Sequence, residues 1–155
     1  MTSLYSNALD CMGPRLPRDG AERYFRRLIF TCSRSIGLDN VLGKSANLAS
    51  YHLNRAAAYS GVKNFDAALP DYDTVIKLDP GKASAYLGRA ILREQKTDFG
   101  GAVADCTEHI KRQPKSLECH LTRGYAYNKL GRTAEGVANG LDGRAALVVV
   151  THTAP

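Results

Sequence analysis

The feature that most constrains this chain is a self-similarity with a period of about 34 residues, a length typical of helical repeat units. The fragment DYDTVIKLDP ends at Pro80, and the similar fragment DCTEHIKRQP ends at Pro114. The same offset relates three leucines, three arginines and three small residues (Leu53, Leu87, Leu121; Arg55, Arg89, Arg123; Ala56, Ala90, Gly124). A repeat of this length is one supersecondary unit that buries its apolar face against the next copy, so the chain is expected to form a stacked array.

Each period contains two helical patterns separated by a short break. In the first period, apolar residues recur every three or four positions on both sides of the break at Lys63 and Asn64. Asn64 and Asp98 are suited to cap the second helices, and Pro80 and Pro114 end them. Each unit is therefore predicted to be an antiparallel pair of helices joined by a short turn.

The recurring positions resemble those of the tetratricopeptide repeat family. That repeat has a bulky residue at position 4, small residues at positions 8 and 20, aromatic residues at 11 and 24, and proline at 32. The first two repeats supply many of these residues (His52, Ala56, Tyr59, Ala68, Tyr72, Pro80; Tyr86, Ala90, Ala102, Pro114). In the third repeat, Gly140 and Gly143 replace larger packing residues, so its second helix is degenerate.

A partial repeat precedes the three full ones. The fragment LIFTCSRSI at 28–36 matches AVADCTEHI at 102–110, so 22–37 is predicted to be the second helix of a leading repeat. A loop is expected in the LDNVLGKSA segment that follows, because it is rich in Gly, Asn and Ser. The predicted parts are an N-terminal extension, the leading helix with its loop, three repeats and a tail (1–21, 22–48, 49–82, 83–116, 117–150, 151–155).

The resemblance implies an all-α fold, a right-handed solenoid of antiparallel helix pairs. It also implies a non-catalytic scaffold or adaptor that binds a peptide or helix of another protein in a concave groove. The chain has arginine at position 7 and aspartate at position 23 of its repeats. In this it resembles a bacterial subgroup of the family. No hydrolase, metalloprotease or phosphate-loop motif occurs, so neither enzymatic activity nor a cofactor is expected.

The arginine series predicts structural ion pairs within each repeat. Arg55 precedes Asp71 by the same distance in sequence as Arg89 precedes Asp105, so each pair would face across one helical hairpin. A partly buried guanidinium needs a carboxylate partner, and the geometry of both groups suits two parallel hydrogen bonds. An arginine ladder open to a ligand is the less favoured alternative.

The first helices of the repeats supply the candidate groove. Their inward positions form an apolar stripe with polar residues along it (Leu53, Asn54, Leu87, Ile91, Glu94, Leu121, Tyr125, Asn128, Lys129). An exposed apolar groove usually marks an interaction site, although the chain's own ends could cover this one. Family members that bind chaperone tails use Lys, Asn and Arg at five positions, where this chain has other residues (Leu53, Ala57, Gly88, Glu118, Thr122). That particular activity is not expected.

A basic N-terminal segment supports the alternative function. The chain carries a net charge of +6, and six arginines cluster near the start with Tyr24 and Phe25 among them (Arg15, Arg18, Arg23, Arg26, Arg27, Arg34). Interleaved basic and aromatic residues can bind single-stranded nucleic acid or other anions. A solvated basic surface explains the cluster more simply, so a nucleic-acid partner is not favoured.

Two of the four cysteines stand close in sequence to histidines, which raises the question of a metal site. Cys106 with His109, and Cys119 with His120, occupy packing positions at irregular spacing, so no metal site is expected.

The start of the chain lacks a signal-peptide pattern and no apolar run could span a membrane, which favours the cytoplasm. The alternative is an exported protein in which Cys11 pairs with Cys32. The run AALVVV would continue the last helix, laying Leu141, Ala145 and Val148 on the third repeat, or would form a homodimer.

Overall fold

The computed structural model describes residues 21–42 and 47–140, and their regular secondary structure is entirely α-helical. The helices are α1 (Ala21–Leu42), α2 (Leu48–Gly61), α3 (Phe65–Leu78), α4 (Ala83–Gln95), α5 (Phe99–Arg112), α6 (Leu117–Lys129) and α7 (133–140). Side-chain caps help to set the helix starts. Asn64 accepts a hydrogen bond from Ala67 N, and Asp98 accepts one from Gly101 N. None of the helices in the described ranges is both long and apolar enough to cross a membrane.

The chain divides after Pro80 into two compact units. In the first unit, α1 packs on α2 and α2 packs on α3. A core forms where Cys32 and Ile36 of α1 meet Tyr51 of α2, with Leu28 and Leu48 packed against them. The first unit is therefore a helical hairpin with one additional helix laid against it.

The second unit has the same hairpin plan with two further helices. Helix α5 contacts α4 on one side and α6 on the other, and α4 also contacts α6 directly. Its core contains Ala90, Cys106 and Cys119, with Leu87 and Ile110 packed against them. Three helices thus surround a core of small side chains, which permits their close approach.

The leading helix is longer than the sequence analysis predicted. Helix α1 continues to Leu42 rather than ending at 37, so part of the expected loop is helical. The segment 38–42 includes Asp39 and Asn40, and both residue types lower helix stability only modestly. Gly43, which follows it, has a lower helix propensity than either. The rest of the expected loop, at 43–46, lies outside the described residues.

In the third repeat, Gly136 lies where the space for a side chain is already occupied. A Cβ atom on Gly136 would stand 3.0 Å from the carbonyl oxygen of Gly124 and would overlap the Asn128 side chain. Helices α6 and α7 therefore approach one another closely through this pair of glycines. Within 21–42 and 47–140, no atom lies within 4 Å of the place where a Cβ on Gly140 would stand. The predicted packing of Leu141, Ala145 and Val148, and any dimer through that tail, lie outside the described residues.

Candidate functional site

The paired arginines and aspartates lie between the two helices of their hairpins. Arg55 donates from Nε and Nη2 to the two carboxylate oxygens of Asp71, both over 2.7 Å. Arg89 makes the same fork to Asp105, over 2.9 and 2.6 Å. The two aspartates are 3% and 2% exposed. Each guanidinium is therefore paired with a buried carboxylate of its own hairpin, as the arginine series predicts for a structural ion pair.

Each aspartate receives a third hydrogen bond, from a second side chain. His52 Nδ1 lies 2.7 Å from Asp71 Oδ1, and Arg93 Nη1 donates to Asp105 Oδ2 over 2.9 Å. Burial by itself raises the pKa of the Asp71 carboxyl, but the hydrogen bonds from Arg55 and His52 outweigh it and hold that pKa below its usual value. Asp71 is thus a carboxylate at neutral pH.

Arg55 and Arg123 make further contacts that the repeat pattern did not predict. Arg55 Nη1 donates to the Ser33 hydroxyl on α1 over 3.0 Å, and Arg123 Nη1 donates to the Thr107 hydroxyl on α5 over 3.3 Å. Arg123 also donates from Nε to the side-chain oxygen of Asn139. Ser33 and Thr107 align in the fragments that revealed the leading repeat, and this alignment is the sequence signal that could have found the contacts.

Part of the candidate groove lies on α4 and α6 and is called here the α4–α6 face: the half-buried Ile91 and Glu94 of α4, and the exposed Leu121, Tyr125 and Lys129 of α6. Leu121 and Tyr125 are 51% and 46% exposed although both are large and apolar. The Tyr125 ring meets the edge of Phe99 at a centroid distance of 6.1 Å. Lys129 Nζ lies 5.2 Å from the centroid of the same ring. These two neighbours hold the tyrosine in place while leaving much of it accessible.

Glu94 borders this face with its carboxylate half-buried. Burial raises its pKa, and a hydrogen bond from the Thr122 side chain opposes that rise. The bond also joins α4 to α6. Within the described ranges, no ion pair is formed by Glu94.

Other predicted groove residues have different surroundings. Leu87 is half-buried and packs against the core of the second unit, so it is not part of the α4–α6 face. Asn128 is exposed, with its side chain against Gly136 of α7. Leu53 and Asn54 are half-buried on α2, in the first unit.

The thiols and imidazoles considered as metal ligands lie in the core. Cys106 and Cys119 are buried side by side, and the hydrogen bond between them, with burial, raises the pKa of the Cys106 thiol. His109 Nδ1 and His120 Nε2 each lie 2.9 Å from a backbone carbonyl oxygen. Across the part of the chain that the structure describes, no group of three or more His, Cys, Asp and Glu side chains could hold a metal ion.

The N-terminal arginines lie on the outer surface of α1. Arg23, Arg27 and Arg34 are exposed, and Arg26 pairs with Glu22 over 2.8 Å. Their aromatic neighbours Tyr24 and Phe25 are half-buried, and the Phe25 ring lies against Gly61. Arg15, Arg18 and Cys11 lie outside the described residues. Binding of an anion or nucleic acid by this cluster stays a prediction.

No family model and no curated protein sequence matches the chain. Among solved structures, "Arabidopsis OM64 TPR domain" is 30% identical, with a TM-score of 0.59, over 64% of this chain and 80% of that domain. The chain belongs to the tetratricopeptide-repeat fold family. A structure of MamA is similar with a TM-score of 0.75 at 15% identity, covering 83% of this chain and 72% of that one. A second MamA structure has a TM-score of 0.66 at 16% identity and covers 100% of this chain and 98% of that one.

These comparisons confirm the predicted fold class, since the described residues are all helical and superpose on tetratricopeptide-repeat structures. Such repeats present extended surfaces to other proteins, so the chain is an interaction scaffold at this general level. Membership of the bacterial subgroup stays a prediction.

Proposed function

We propose that this chain is a non-catalytic scaffold whose α4–α6 face binds a peptide or helix of another protein. The observation that carries the proposal is the exposure of Leu121 and Tyr125, one turn apart on α6. Ile91 on the neighbouring helix α4 extends the apolar surface. Large apolar side chains that stay accessible on one face of a repeat are typical of an interaction site.

The chemistry of the face suits a bound side chain from a partner. Tyrosine is enriched among residues that dominate binding energies, because it buries a large area at small cost in conformational entropy. Phe99 and Lys129 already restrict the Tyr125 ring. A ring that is ordered before binding loses less entropy when the complex forms, so this surface is partly preorganised.

A selection experiment tests the proposal on the full chain. A displayed library of random peptides of about 12 residues, long enough for three helical turns, would be enriched on the immobilised protein. We expect a related set of apolar-containing peptides. Leu121→Asp and Tyr125→Asp should each weaken their binding about tenfold or more, measured by calorimetry, because both remove a central apolar contact.

The matched control is Val137→Asp, which changes an exposed apolar residue of α7 (56% exposed) outside this face. It should leave binding unchanged. Circular dichroism should show the same helicity in all three variants. The proposal is wrong if no peptide is enriched, or if the α6 variants bind as tightly as the control does.

A further inference from the structure

We infer that the α4–α6 face selects a segment of another protein in which a basic side chain accompanies an apolar one, with the basic group pairing with Glu94. This inference rests on the proposed function and adds the chemistry of the partner. The apolar side chain would lie against Leu121 and Tyr125, and the ammonium or guanidinium group would reach the carboxylate beside them.

Glu94 differs from the other acidic residues that the structure describes in the second unit. Asp98, Asp105, Glu108 and Glu135 each pair with an arginine or lysine of the same unit. Glu118 has no ion pair within the described ranges, but it is exposed and therefore hydrated. Glu94 combines partial burial with the lack of a cationic neighbour in the same described ranges, and its hydrogen bond comes from the uncharged Thr122.

The nearest cation in sequence does not fill this place. Arg93 donates to Asp105 over 2.9 Å and lies 3.6 Å from Asp98, so its guanidinium is committed to α5 and its N-cap. A ligand covering the face would remove more water from Glu94. A carboxylate buried without a cation costs free energy, so a ligand that brings one is favoured and an acidic ligand is disfavoured.

The opposite end of the face sets the orientation of the partner. Lys129 lies seven positions after Thr122 on α6, about 10 Å along the helix axis at 1.5 Å per residue. Its ammonium stands over the Tyr125 ring and repels a basic group placed there. The basic residue of the partner is therefore placed at the Glu94 end, with the apolar residue between the two charges.

The experiment applies the peptide selection to the wild-type chain and to Glu94→Gln and Glu94→Lys. Wild-type selection should enrich peptides with Lys or Arg within about one helical turn of an apolar residue. Replacing that basic residue by Glu in the best peptide should weaken binding to the wild-type chain about tenfold or more. Glu94→Lys should reverse the preference, so that the acidic version of the peptide binds more tightly.

Glu118→Gln is the matched control, because it removes an exposed carboxylate of the same unit. It should leave both affinities unchanged, whereas Glu94→Gln should abolish the difference between the basic and acidic peptides. A general effect of net charge would instead appear equally in both variants, and would overturn the inference.

The outcomes separate this inference from the proposed function. Enriched peptides without a basic residue, or an unchanged preference in Glu94→Lys, overturn the pairing with Glu94 and leave the binding face standing. No enrichment at all overturns the proposed function itself. Light scattering of the chain without peptide provides a further test: a dimer that Glu94→Lys dissociates would mean that a second copy occupies the face, and would overturn its assignment to a different protein.

Discussion

The hairpins α2–α3 and α4–α5 hold the same ion pair in different surroundings. In both, an arginine forks onto an aspartate at the same separation in sequence. The third donor is His52, early in α2, in the first hairpin, but Arg93, near the end of α4, in the second. The repeat thus specifies the fork, whereas each unit completes the coordination of its buried carboxylate from a different position.

Replacing the buried aspartates should have the largest effect on the free energy of unfolding. The two losses show which hairpin depends more on its aspartate. Asp105→Asn removes the carboxylate that Arg89 and Arg93 share, whereas Asp71→Asn removes the one that Arg55 and His52 share. Because breaking a buried pair leaves an uncompensated charge, we expect a loss of about 3 kcal/mol in the free energy of unfolding for Asp105→Asn, and less for Asp71→Asn. Urea unfolding followed by circular dichroism measures both. Equal losses would show that replacing a histidine by a second arginine as the third donor makes no difference to stability.

The second helices of the two hairpins differ at their sixth residue, which is proline in α3 and alanine in α5. Pro70 is the sixth residue of α3, is exposed, and has no N–H to donate to the preceding turn. The equivalent residue of α5 is Ala104. Ala104→Pro should destabilise the protein by about 3 kcal/mol, whereas Pro70→Ala should stabilise it by about 1 kcal/mol, because α3 already accommodates its proline. Thermal unfolding of the two variants measures these shifts. A Pro70→Ala variant less stable than the wild type would mean that α3 depends on the proline.

The third repeat extends the comparison to its glycines. Ala68 and Ala102 occupy the position that Gly136 takes in the third repeat. Gly136→Ala should destabilise the protein, because its Cβ would meet the Gly124 carbonyl oxygen. Gly140→Ala meets no atom of the described residues within 4 Å and should stabilise α7 by up to about 1 kcal/mol. Chemical unfolding measures both signs. Stabilisation by both substitutions would contradict the close approach of α6 and α7.

The smallest expected effect is a pH dependence associated with Asp71. Its pKa in the folded protein is lowered, so its contribution to stability is fully present above the unfolded value of about 4. That contribution is lost as the pH falls from there through the lowered pKa. The stability difference between the wild type and Asp71→Asn should therefore shrink below about pH 4. Urea titrations at several pH values measure it, and a difference that grows on acidification would contradict the assignment.

Residues at one repeat position can have different environments. Leu87 and Leu121 both occupy position 5, and the sequence analysis assigned both to the groove. Leu87 packs against the core that contains Cys106 and Cys119, while Leu121 is 51% exposed. The exposure of a repeat position depends on the helices packed beside it, and a single repeat pattern does not contain that information.

The sequence alone determined the features that depend on local spacing. The repeat period, the helix caps at Asn64 and Asp98, and the constant separation of arginine from aspartate all follow from the pattern within one repeat. Only the tertiary structure decided that Arg55 reaches the Ser33 hydroxyl and Arg123 the Thr107 hydroxyl, and that Glu94 is half-buried with a hydrogen bond from Thr122. Contacts within a hairpin recur with the repeat because its short turn fixes the two helices, whereas burial and pairing between hairpins depend on side chains that differ from one repeat to the next.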